Sequence, residues 1–241
     1  MTGGKGLCVA IVPAAGEGLR MGAPVRKAFL EIGGRPILFW TLEALASCNQ
    51  ISEIILALHP EDLPLAERFE STLSALRVSS VVGGGPSRPD TVAIALEKVP
   101  ARAALVAIHD AVRPMVRREL LDRVIAAARI TGAAMLAVPV GDTVKEAYAR
   151  GTSGRADHAG VIKRTILRQR LWLAQTPQVF RRELIQKAYS LRRTTCLALT
   201  DDAQLVEAMG HPVSLVRGSP ENVKITFPED LELAKKILLR Q

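Results

Sequence analysis

Short apolar runs alternate along the chain with longer stretches in which apolar residues recur every three or four positions. The run LCVAIVPA (7–14) has no charged side chain and reads as a strand buried on both faces, the habit of parallel sheets covered by helices. Runs at 52–58, 78–82 and 103–111 repeat it. Between them, residues 36–48, 63–76 and 91–99 carry helical periodicity, with Pro36 fit for a first helical turn. Residues 117–132 read as a further helix, closed by Gly132. Strands alternating with helices predict right-handed crossovers and an α/β fold, a doubly wound, mostly parallel sheet.

After the apolar run 133–140 the rhythm changes. A polar turn cluster, ARGTSGRADHAG, is flanked by TVKEAY and GVIKRTIL, which read as the two strands of a projecting β-hairpin arm. An isolated hairpin cannot bury its own faces, so the arm is expected to pack on a partner, making the protein a homodimer. The earlier pattern resumes with a helix at 181–193, TDDAQLVEAMG (200–210), a strand at 212–218 and a closing helix at 228–239. No repeat, low-complexity tract or linker interrupts the chain, which predicts a single domain over 1–241 with a dimerisation arm at about 141–170.

Composition narrows the chemistry. Aromatic residues make up only 4% of the chain against 48% hydrophobic, so the core must be built from Val, Ile, Leu and Ala. The 32 Lys and Arg exceed the 24 Asp and Glu by 8, which favours anionic partners such as nucleotides or phosphorylated metabolites. A basic nucleic-acid-binding protein is an alternative, but few aromatics and the absence of RRM, KH or zinc-finger patterns count against it, and no nucleic acid is expected as partner. Three scattered cysteines and four scattered histidines argue against a disulfide framework and a zinc centre. No apolar run approaches the roughly 20 residues of a membrane span, and MTGGKG lacks a signal peptide's apolar core, so a cytoplasmic protein with no membrane partner is expected.

In open α/β sheets, ligands bind beyond the carboxyl ends of the strands. The first strand ends in PAAGEGLRM, where Gly16 and Gly18 allow close backbone approach and Arg20 and Lys27 follow as cations. By itself this GxG is as compatible with a plain turn as with a phosphate loop; no GK[ST] follows, and Met21 replaces the third glycine of GxGxxG. A second strand end, VVGGGPSRPDTV (81–92), offers three glycines, Arg88 and the cap candidates Asp90 and Thr91. A third, AIHDAVRP (107–114), places Asp110 and Arg113 past a buried strand, where the carboxylate could cap a turn, hold a ribose hydroxyl or bind a metal on phosphates.

Taken in order, VPAAGEGLRM, GGPSRPDTV, HDAVRP, PVGDTVKE, LWLAQTPQVF, TDDAQLVE and PENVKITFPEDLELA resemble the 2-C-methyl-D-erythritol 4-phosphate cytidylyltransferases over about residues 9–238. The resemblance implies a Rossmann-like nucleotidyltransferase, with the phosphate of methylerythritol phosphate attacking the α-phosphorus of CTP. It places Arg20 and Lys27 on the triphosphate, and the small residues Ala14, Ala15, Gly16 and Gly18, with Gly84, Gly85 and Thr91, around the cytidine. Asp110 and Ala111 fall at the ribose and metal edge, with Mg²⁺ as cofactor held mainly by phosphate oxygens. Arg168 and Lys224 match cations that position the second substrate, and Arg113, Thr143, Thr176 and Thr200 match polar residues near it, a turn or cap role being the alternative for the threonines. The arm, bearing Thr143 and Arg168, would reach a partner subunit. Ribitol-5-phosphate cytidylyltransferases share most of the motifs and form the alternative. The chain departs from the usual family pattern at Arg26 and Ala28, which flank Lys27 in place of proline and glutamine, and at Pro86, Leu167 and Phe227.

Overall fold

The computed structural model describes residues 6–16, 25–148, 160–192 and 199–239. Strand β1 (Leu7–Ala14) is an interior strand of a seven-stranded sheet, its Cys8–Val12 stretch fully buried as the uninterrupted apolar run requires. A two-residue pair, β2 (Glu31–Ile32) and β3 (Arg35–Pro36), turns the chain into helix α1 (Ile37–Ala46). Strand β4 (Ile51–Leu58) then pairs parallel with β1, and a tight turn over 60–62 leads into α2 (Leu63–Arg68) and α3 (Glu70–Ala75). One continuous helix over 63–76 is therefore not formed. Phe69 leaves helical geometry at φ −112°, ψ 16° and meets Phe39 edge-on at 5.1 Å, so aromatic packing on α1 accompanies the break.

Strand β5 (Val78–Gly83) lies parallel to β4 at one sheet edge. Helix α4 (Arg88–Leu96) starts earlier than the expected Thr91, because Ser87 caps it through the Asp90 amide at 3.2 Å and Pro89 occupies its first turn. Strand β6 (Ala103–Ile108) returns beside β1 on its other side, followed by α5 (Arg118–Thr131), whose Leu120, Leu121, Val124, Ile125 and Ala128 form one buried face. Gly132 at φ 88° ends α5 in the left-handed conformation and releases the chain into β7 (Ala133–Pro139).

The arm strands β8 (Val144–Ala147) and β9 (Ile162–Ile166) pair antiparallel in a sheet of their own. The chain next forms β10 (Trp172–Arg181), a strand the periodicity does not announce. It runs antiparallel between β6 and β7, and its ladder with β7 is interrupted between Ala174 and Gln178, around Pro177, which has no amide to donate. Helices α6 (Arg182–Ser190) and α7 (Ala203–Ala208), edge strand β11 (Ser214–Arg217) and helix α8 (Pro228–Leu238) complete the described chain. The sheet order is β11-β7-β10-β6-β1-β4-β5, mostly parallel as expected, with β10 as the reversed member. None of the described helices is long and apolar enough to cross a membrane.

Candidate active site

The sheet order reverses at β1, which has β4 and β5 on one side and β6 on the other, so the crossover loops diverge above the carboxyl ends of β1 and β6. A cleft of about 680 Å³ opens there. One wall is the end of β1, Pro13 to Gly16; another is the loop into α4, with Gly85, Arg88 and Thr91. Lys27, His59, Asp110, Ala111 and Lys224 line the rest.

Small residues shape the first wall for a steric reason. A Cβ on Gly84 would fall 2.3 Å from the Ala15 Cβ and 2.9 Å from Thr91 Oγ1, so only glycine lets the β5 and β1 loops meet here. Gly84 also donates its N–H to the Leu58 carbonyl at 2.6 Å, while Thr91 Oγ1 accepts the Gly85 amide at 3.1 Å. At Gly16, by contrast, no atom of the described residues lies within 4 Å of an added Cβ.

Asp110 is the acidic side chain lining the described part of the cleft, and three cations surround it. Arg88 Nε donates to Oδ1 at 3.2 Å; Lys224 Nζ lies 2.9 Å and Arg113 Nε 3.6 Å from Oδ2. Burial alone would push this carboxyl up, but the positive charges of Arg88, Lys224 and Arg113 outweigh it and hold the group well below the usual carboxylate range. Among the described residues no group of three His, Cys, Asp or Glu could hold a metal ion. Asp110 thus offers a lone carboxylate, a donor set that fits Mg²⁺ only when phosphate oxygens supply most of its ligands.

A buried layer fixes this arrangement from behind. The Asp110 amide donates to Thr176 Oγ1 at 3.1 Å, and the same hydroxyl lies 3.0 Å from Nδ1 of the fully buried His109. Asn222 donates to the Thr176 carbonyl at 2.9 Å, and its own backbone carbonyl accepts from Arg113 Nη1 at 2.7 Å. On the other flank Arg88 gives both terminal nitrogens to Asp202, at 3.1 and 2.8 Å. Tyr189 donates its hydroxyl to Asp202, whose amide in turn donates to Gln178 Oε1 at 3.1 Å. Burial opposes the Arg88 charge, yet Asp202 and Asp110 more than offset it and raise its pKa. Burial and the Asp202 charge push Tyr189 up, keeping it a hydroxyl donor.

The structure therefore brings Ala14, Ala15, Gly16, Lys27, Gly85, Thr91, Asp110, Ala111 and Lys224 to one cleft, with Gly84 beneath it. Arg113 and Thr176 do not line it; they brace Asp110 from the protein side. Thr143 is exposed just before β8, and Arg168 beyond β9 donates to the Gly141 carbonyl, so both stand at the base of the arm. Thr200 is exposed ahead of α7, its amide donating to Gln204 Oε1 at 2.9 Å, a cap-like contact. Gly18 and Arg20 lie outside the described residues.

Residues 8–240 match the sequence profile of the 2-C-methyl-D-erythritol 4-phosphate cytidylyltransferase family. The chain belongs to this family. A relative of that name from Desulforamulus reducens is 42% identical over 98% of this chain and 97% of its own length. Among solved structures, 4-diphosphocytidyl-2C-methyl-D-erythritol synthase from Anaerococcus prevotii superposes with a TM-score of 0.81 at 31% identity, covering 98% and 97% of the two chains. The 2-C-methyl-D-erythritol 4-phosphate cytidylyltransferase of Thermus thermophilus gives a TM-score of 0.76 at 36% identity, covering 96% and 98%.

For this member of the cytidylyltransferase family, the departures take definite places. Ala28 is buried against the core and, like Pro86, lines the cleft. Leu167 and Phe227 are exposed. Arg26 does not add a cation to the cleft as its position suggests: its guanidinium pairs with Glu61 and Asp62 instead. Sequence reasoning missed the bracing roles of His109, Asp202 and Asn222, as well as His59 at the rim. The signal for Asp202 was the doubled acid of TDDAQL; the others had no local signature.

Proposed function

We propose that this cleft transfers a cytidylyl group from CTP to 2-C-methyl-D-erythritol 4-phosphate, forming 4-diphosphocytidyl-2-C-methyl-D-erythritol and releasing pyrophosphate. The observation that carries the reading is the convergence of Lys27, Arg88 and Lys224 on a small-residue cleft at the sheet's switch point. Two anions must meet for one phosphate to attack another, and fixed cations offset their repulsion while stabilising charge that develops on the α-phosphate. Family membership over nearly the whole chain supplies the substrates.

In this reading the loop of Ala14, Ala15 and Gly16, with Gly84, Gly85 and Thr91, encloses the cytidine. Lys27, joined by Arg20 and the Gly18 loop, neutralises the triphosphate, while Asp110 and Ala111 hold the ribose edge. Lys224 and Arg168, with Arg113, Thr143, Thr176 and Thr200 in supporting positions, orient the attacking phosphate. Mg²⁺, held by Asp110 and mainly by phosphate oxygens, would supply further neutralisation of negative charge. Lys224 has two tasks to reconcile, since its ammonium lies 2.9 Å from Asp110; substrate phosphate would share that cation.

The arm completes the proposal. Val161, Ile162 and Leu167 are exposed on it, apolar surface that a second copy would cover, so one nucleotidyltransferase domain would lend its arm to the partner's site in a homodimer. The buried free thiols Cys8 and Cys48 suit a reducing, cytoplasmic setting. A pyrophosphate-release assay crossing CTP, UTP and ATP with methylerythritol phosphate and ribitol 5-phosphate tests the reading. Turnover is expected with CTP and methylerythritol phosphate; its absence overturns the assignment, and preference for ribitol 5-phosphate changes the substrate.

A further inference from the structure

Arg26 stands next to Lys27 yet does not line the cleft that Lys27 and Ala28 line. Its Nη1 donates to Asp62 Oδ1 at 2.8 Å, and its Nη2 pairs with Glu61. Both acids belong to the tight turn over 60–62 that follows β4, and His59, which opens the turn, lines the cleft opposite. That turn is itself fixed: the Asp62 amide donates to the His59 carbonyl at 2.8 Å, and the Glu61 amide to His59 Nδ1 at 3.3 Å. Across the ion pair, the Phe29 amide donates to the Arg26 carbonyl at 2.9 Å and the Leu30 amide to the Lys27 carbonyl at 3.2 Å. A single hydrogen-bonded turn thus carries Arg26 and Lys27 as one unit.

Asp62 is only 14% exposed at its side chain, and its other oxygen, Oδ2, is buried with no hydrogen-bond partner among the described residues. Among the described residues its ion-pair partner is Arg26. The contact joins positions 36 residues apart, so it restrains the segment bearing Lys27 against the sheet rather than against its own neighbours. Such a partly exposed pair adds little to global stability. Its effect lies in geometry, because phosphoryl transfer is sensitive to displacement of a charged group by an ångström.

We propose that Arg26 is a positioning residue: by clamping Glu61 and Asp62 it sets the height of Lys27 over the nucleotide cleft. The inference rests on the cytidylyl-transfer reading and on Lys27 acting at the triphosphate. It also specifies what Arg26 does not do, which is to serve as a second phosphate cation.

Steady-state pyrophosphate release by the full chain, with CTP and methylerythritol phosphate, tests this. Arg26→Ala is expected to lower kcat about tenfold with the KM for methylerythritol phosphate unchanged, and Arg26→Lys to recover most of the loss. The double change Glu61→Gln with Asp62→Asn should reproduce the loss while leaving the guanidinium in place. If Arg26 served as a phosphate cation, or if the acids merely repelled nucleotide, that double change would keep or raise kcat, and the clamp would be overturned. In a Lys27→Ala background, Arg26→Ala should add less than about twofold, because the residue it positions is gone; a full further loss there overturns the proposal. Should Arg26→Ala fail to fold, the Arg26→Lys and double-acid variants decide by the same criteria. An inactive wild type overturns the cytidylyl reading and the clamp together, whereas an active wild type with insensitive Arg26 variants overturns the clamp alone.

Discussion

Arg88 and Asp202, 114 positions apart, form a two-point ion pair at 3.1 and 2.8 Å in which the carboxylate has no side-chain exposure. The remaining Arg88 nitrogen, Nε, donates to Asp110. A group at the cleft is therefore held by one behind it. Asp202→Ala would leave a largely buried guanidinium without this partner and should cost roughly 3 kcal/mol of stability. Urea unfolding measures that cost; a loss under about 1 kcal/mol would show that Asp110 and solvent satisfy Arg88 by themselves.

His109 gives the fold a pH dependence. Burial pulls its pKa down to about 4, against about 6.5 in an unfolded chain. Between these values the unfolded chain takes up a proton that the native state refuses, so stability falls as pH drops from about 6.5 to about 4, by about 3 kcal/mol in all. The loss is absent above about pH 6.5. Denaturant unfolding of wild type and His109→Asn across this window should give a flatter curve for the variant. Parallel curves would mean that other groups carry the dependence.

Gly84→Ala tests the small-residue wall. The added methyl would overlap Ala15 Cβ at 2.3 Å, forcing the β1 and β5 loops apart. The KM for CTP is expected to rise about tenfold, with a stability loss of about 1–3 kcal/mol. Calorimetric CTP binding unchanged from wild type would place the nucleotide elsewhere.

The two cation groups should separate kinetically. Lys27→Ala is expected to lower kcat by about a hundredfold or more, as removal of a charge that acts on the transition state does. Arg168→Ala should mainly raise the KM for methylerythritol phosphate. The reverse pattern would exchange their roles.

Much of the sheet was legible because strands buried on both faces advertise themselves: β1 and β6 are continuous apolar runs, and β4 becomes one after Glu53. Strand β10 was not, since Gln175, Thr176, Pro177 and Gln178 look like a polar loop. They are buried because their side chains satisfy partners far along the chain: Gln175 donates to the Ser219 carbonyl, and Gln178 accepts the Asp202 amide. The site divides the same way. Asp110 and the Gly84–Gly85 pair stand just past strand ends, where position alone betrays a role. The direction of Arg26, the reach of Arg88 to Asp202 and the bracing by Asn222 depend on partners that no local spacing encodes.

The reversed strand has one more consequence. Parallel neighbours need a long crossover, whereas antiparallel neighbours can be joined by two residues. Because β7 and β10 are antiparallel, and Val140 donates its amide to the Leu171 carbonyl at 3.1 Å, the chain has already closed a hairpin at the arm's root. Topologically, the described arm strands β8 and β9 are an ornament on that hairpin's tip. The arm can lengthen, shorten or vanish without rewinding a single crossover, so arm and sheet are free to evolve on separate terms.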